Sequence, residues 1–104
     1  MNNDNDDTLK ALKWSSWLNF DKATITEIPE SEGVYKMHAS MKILIIGHSY
    51  NLRKSLLESL SDSCLNKATR FSYSITQSSE KIQKLLLNEY RTKHSGKLPL
   101  CMES

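Results

Sequence analysis

Gly33-Val34-Tyr35-Lys36-Met37-His38-Ala39-Ser40-Met41-Lys42-Ile43-Leu44-Ile45-Ile46-Gly47 is the stretch that decides the fold. Its first half alternates, with Val34, Lys36 and His38 on one side and Tyr35 and Met37 on the other, the period of a strand. From Lys42 to Ile46 it turns β-branched and almost wholly apolar, as expected of a strand covered on both faces. The short Ala39-Ser40 link predicts an antiparallel hairpin, and Gly47 ends its second strand.

Downstream, Leu52, Leu56, Leu57 and Leu60 give the apolar stripe of a helix over about 51–61, with Ser49 as its cap. Phe71, Tyr73 and Ile75 alternate with polar residues and predict a strand over 69–75. Ile82, Leu85, Leu86 and Tyr90 predict a helix over 79–94, capped by Ser78, with Glu80 in its first turn. Gly96 suits its stop and Pro99 prevents it from resuming. Upstream, residues 1–7 read as a disordered polar tail. Residues 8–32 read as a helix and a loop: Asp6 or Asp7 caps a helix to about Phe20, with Leu9, Leu12, Trp17 and Phe20 near helical spacing. Trp14 and Trp17 then share a face, and 21–32 is a mixed loop containing Pro29. The expected fold is α+β, a small three-stranded sheet flanked by helices, with one extra helix in front.

The 104 residues suit one domain, and a hydrophobic share of 38% with 25% charged residues is that of a soluble globular chain. No apolar run approaches the roughly 20 residues that cross a bilayer. The acidic, polar start resembles no signal or transit peptide, so a cytoplasmic protein without membrane contact is expected. Cys64 and Cys101 match no metal spacing and are expected to be ordinary thiols. Charge is uneven: residues 1–32 hold seven acids against three bases, and 33–104 hold eleven bases against five acids. The second part should therefore attract polyanions more than the net charge of +2 suggests.

Gly33-Val34-Tyr35, then Ile45-Ile46-Gly47, then Asn51-Leu52-Arg53, then Gln83-x-x-Leu86-Leu87-x-x-Tyr90 and a closing His94-Ser95-Gly96-Lys97-Leu98-Pro99 follow one another in an order and spacing that resemble the GIY-YIG nuclease family. The resemblance covers residues 33–102 and implies a β-β-α-β-α domain over 33–104. It also implies metal-dependent hydrolysis of a phosphodiester, in which a base takes a proton from water and cations neutralise the phosphorus oxygens.

Matched residue by residue, the resemblance retains Tyr35 as a proton relay, provided a neighbour lowers its pKa. His48, just after Gly47, could contact a phosphate or act as a base. Four family positions are replaced: the second tyrosine by Ile45, the helix arginine by Ser55, the metal carboxylate by Gln83 and the closing asparagine by Met102. An amide can ligate Mg²⁺ but brings no negative charge. Removing one preorganised electrostatic group typically costs about 10² to 10³ in rate, so the expectation is a nuclease-inactive or weakly active domain without a cofactor. It would bind DNA or RNA through a basic surface around Arg53, Lys54 and Arg70. Two alternatives stand beside it. One is an active endonuclease using Mg²⁺ or Mn²⁺, with Tyr35, His48 and Arg53 in relocated roles and Glu80 as the metal ligand. The other is a protein-interaction module that docks through the Trp14/Trp17 helix.

Overall fold

The computed structural model describes residues 4–103. Residues 1–3 of the expected tail lie outside the described residues, and Asp4–Lys10 forms a helix, α1. Two strands, β2 (Gly33–Ala39) and β3 (Lys42–Ser49), make the expected hairpin, in register from Gly33 opposite Ser49 to Ala39 opposite Lys42. Its two-residue turn places Ser40 and Met41 at φ of 51° and 66°, the left-handed pair that matches the twist of the strands. One irregularity falls at Met37/His38, where the partners step from Ile45 to Ile43 past Leu44.

Strand β4 (Arg70–Ile75) pairs antiparallel with β2, Tyr35 opposite Tyr73 and Met37 opposite Phe71. A fourth strand, β1 (Leu18–Asn19), pairs with β4, so the sheet is four-stranded in the order β1-β4-β2-β3. This corrects the expected three strands. Each face of the sheet carries its own apolar layer. Tyr35, Met37 and Phe71 pack with Leu52 and Leu56 of α3 (Leu52–Ser59) and with Ile25 of α2 (Lys22–Ile25). On the other face Val34 and Ile46 pack with Ile82 and Leu86 of α4 (Ser79–Lys93), joined by Leu9 and Leu12. The alternation in β2 thus separates its side chains as the sequence predicts. Gly96 ends the last helix at φ +82°, its N–H donating back to the Arg91 carbonyl at 2.8 Å.

The long first helix is not formed. It ends at Lys10, and the following segment runs extended along β4, where the Ser15 N–H donates to the Tyr73 carbonyl at 2.8 Å. Ser15 Oγ accepts from the Tyr73 N–H at 3.1 Å and lies 3.2 Å from Ser72 Oγ. Serine and tryptophan are weaker helix formers than alanine or leucine, and this sheet edge offers the backbone a better partner. The loop after it contains α2, capped by Asp21, whose carboxylate accepts from the Thr24 N–H at 2.8 Å. Helix α3 is capped by Asn51 rather than Ser49, through a 3.1 Å bond from the Lys54 N–H.

Cys64 and Cys101 are not free thiols but a disulfide, with Cα atoms 5.8 Å apart. Strand β4 carries the chain to the far end of the sheet and α4 carries it back, so cysteines 37 residues apart meet. Among the described residues no helix is long and apolar enough to cross a membrane.

Candidate functional site

The second half of β3 gathers most of the positions that the sequence singles out. Tyr35 lies opposite Gly47 and its ring covers that glycine so closely that a Cβ there would stand 2.5 Å from Cζ. The ring is buried, and desolvation, then the charges of Glu58 and Asp62, push the phenol above its ordinary value of 10.0. A proton relay needs the opposite shift. Ile45 packs against the same apolar layer.

Ser55, at the arginine position, has its hydroxyl 2.5 Å from Ser49 Oγ. Ser49 donates its own proton to the Asn51 carbonyl at 2.7 Å, which makes Ser55 the donor of the pair. Gln83, at the carboxylate position, donates its amide N–H to the Ile46 carbonyl of edge strand β3 at 3.0 Å. Met102 sits in a short 3₁₀ turn, Leu100–Met102, that packs against β3. Ser55 and Gln83 thus each spend a side-chain hydrogen bond on β3 or its end, Ser55 on Ser49 and Gln83 on the Ile46 backbone.

His48 is next to Gly47 but on the other face, because it lies opposite Val34. The sheet separates it from Tyr35. Its Nδ1 is 3.3 Å from Ser79 Oγ, and Ser79 Oγ is 2.6 Å from Glu32 Oε2. The Ser79 proton goes to the carboxylate, so the His48 contact needs a proton on Nδ1, leaving Nε2 without one when the ring is neutral. Glu32 also accepts from the Ser79 N–H at 3.3 Å and thereby does the capping expected of Ser78, which makes no side-chain cap bond. Ser79 itself is fully buried. It positions His48 and is not reachable as a nucleophile.

The remaining candidates are dispersed. Arg53 donates Nε–H to the Ile28 carbonyl at 2.7 Å and pairs with Glu30 at 3.3 Å, which ties α3 to the segment before β2. Lys54 is exposed on α3, beside the cleft that His48 and Tyr50 line. Arg70 is exposed at the start of β4, opposite His38, at the far end of the strands from α3's first turn. Arg53, Lys54 and Arg70 thus form no single surface. Glu80 is exposed on α4, which packs on the face away from Tyr35, so the structure does not bring the two together. Among the described residues, no group of three or more His, Cys, Asp or Glu side chains converges as a metal site would.

Trp14 and Trp17 do not share a helix face. Both close on Lys36, whose Nζ lies 4.0 Å from the Trp14 ring and 5.6 Å from that of Trp17. Burial pushes the Lys36 ammonium below its ordinary value, and Glu89 opposes that shift. The pair expected on a docking helix thus lies on an extended arm against Lys36, with Trp17 still 43% exposed. No local sequence pattern marks Glu32, Ser79 or the seat of Lys36, because each depends on contacts between distant segments.

A family described as a domain of unknown function (DUF7508) matches residues 11–93. The chain belongs to that family. The DUF7508 match begins at Ala11, so it includes the extended arm and β1 together with the hairpin and α4. No curated protein and no solved structure matches the chain.

Proposed function

We propose that this DUF7508 chain is a GIY-YIG-like domain that has lost metal-dependent phosphodiester hydrolysis and keeps nucleic-acid binding. The observation that carries the reading is Tyr35. Of the two strand-motif tyrosines it is the one that this chain keeps, yet it is buried across Gly47 with its phenol pushed up, the wrong direction for taking a proton near neutral pH. Ser55 and Gln83 support the same reading, since each is uncharged and spends its hydrogen bond inside the domain. Neither supplies the charge that a pentavalent phosphorus or a Mg²⁺ ion needs. The binding half of the reading rests on the surplus of bases over acids in residues 33–104.

Pure protein incubated with plasmid and single-stranded DNA, in Mg²⁺ and in Mn²⁺, beside Tyr35→Phe, tests the catalytic half. The expected result is no cleavage by either protein. Cleavage by the parent that Tyr35→Phe abolishes would overturn it.

A further inference from the structure

We infer that the turn of the β2–β3 hairpin is a nucleic-acid docking surface, which lays duplex phosphates on Lys42, Lys97 and Arg70 and drives Met41 into a groove between the strands. The inference rests on the proposed binding function and gives it a site, at the end of the sheet away from Tyr35 and Gly47.

Met41 carries the first part of the case. It is 97% exposed, on a two-residue turn, at φ 66°. Glycine or asparagine takes that conformation at lower cost, and nothing in the fold touches the methionine enough to require it. An exposed apolar side chain held in a strained backbone is a feature from which function is fairly inferred. Methionine and leucine are among the side chains that proteins wedge between base steps.

The surroundings carry the second part. Met41 opens a groove of about 520 Å³, lined on one side by Lys42 and on the other by Lys97 and the exposed Leu100. The Tyr90 and His94 rings stack at 3.8 Å to form a wall of it. Glu103 is the sole carboxylate among its described lining residues, against two lysines and a histidine. Arg70 enters β4 opposite His38, at the same end of the sheet, and Lys93 ends α4 there. By contrast the clefts beside His48 and Tyr50 balance their lysines with Glu32, Glu58 and Glu80. The basic surplus of residues 33–104 thus meets a single carboxylate, Glu103, among the described lining residues of the hairpin-turn groove, and phosphate is the chemistry that complements it.

Fluorescence anisotropy of a short DNA duplex and its RNA counterpart, titrated across salt, tests the assignment. Charge reversal of Lys42 and Lys97 together is expected to weaken binding about tenfold or more and to flatten the plot of log affinity against log salt by about two. Met41→Gly is expected to weaken binding about threefold or more at an unchanged salt slope, with a thermal midpoint equal to or above the parent's, since glycine relieves the turn. Its folding is therefore not in question. Parent-like binding by either variant overturns the inference. Loss confined to Lys54→Glu also overturns it, while leaving the proposed function standing. No binding of either duplex by the parent at low salt overturns both, and capture by anionic lipid vesicles in that case would assign the turn to a membrane surface instead.

Discussion

A Cβ built on Gly47 would lie 2.5 Å from Tyr35 Cζ and 2.6 Å from its Oη, closer than real side chains approach. The glycine serves the ring above it, since its own backbone is ordinary strand. Gly47→Ala must push the phenol off the sheet or spread β2 from β3. Overpacking of this kind costs about 1–3 kcal/mol, and urea unfolding should show it as a lower midpoint at an unchanged slope. Tyr35→Ala removes the obstacle at its own cost of a core cavity. The double variant should therefore be less destabilised than the sum of the singles, by about 1 kcal/mol or more. Strict additivity would mean that ring and glycine do not depend on each other. That would also remove the geometric support for a buried, non-catalytic Tyr35.

At the scale of elements, the arm between α1 and β1 is held by contacts that no local pattern announces. Lys36 projects from the central strand β2 between Trp14 and Trp17, the chain's two tryptophans. Intrinsic fluorescence therefore reports on this arm specifically. Lys36→Ala removes the cation and the aliphatic stem that the rings cover. A desolvated cation–π contact is worth about 1–2 kcal/mol, with the lost stem packing added to it. The variant should be less stable by about that amount, with tryptophan emission shifted to the red and quenched more readily by iodide. Unchanged quenching would show that the arm is held by Ser15 and β1 alone.

The hairpin, β4 and α4 were legible in advance because their signals are local: alternation in Gly33–His38, the apolar run 43–46, and the Ile82, Leu86, Tyr90 stripe. The arm is not legible in this way, because Leu9, Leu12 and Trp17 fit helical spacing while the helix ends at Lys10. The bond from the Ser15 N–H to the Tyr73 carbonyl and that from the Tyr73 N–H to Ser15 Oγ outweigh that spacing, across 58 residues of sequence. Of the site, the pairing of Tyr35 with Gly47 across the hairpin follows from the short Ala39-Ser40 link. The His48–Ser79–Glu32 chain does not, since it joins residues 31 and 47 apart.

For the molecule as a whole, the Cys64–Cys101 bond closes the segment that contains β4 and α4, a sequence separation of 37. In the chain-entropy account a closure of this length stabilises by about 4 kcal/mol, a large share of the roughly 5–15 kcal/mol that holds a domain together. Such a bond persists where the surroundings are oxidising, and a reducing cytosol would open it. Reductant, Cys64→Ser and Cys101→Ser should each lower stability by a similar amount. The thermal midpoint should fall on the order of 15 °C, and reductant should have no further effect on either variant. The bond also anchors the 3₁₀ turn Leu100–Met102, which packs against β3, the open edge of the sheet. Amide exchange along β3 should then accelerate on reduction more than exchange along the central strand β2. Equal acceleration in both strands would mean that the bond acts only on the unfolded chain. A selective rise in β3 would mean that it also holds the cover on the sheet's edge.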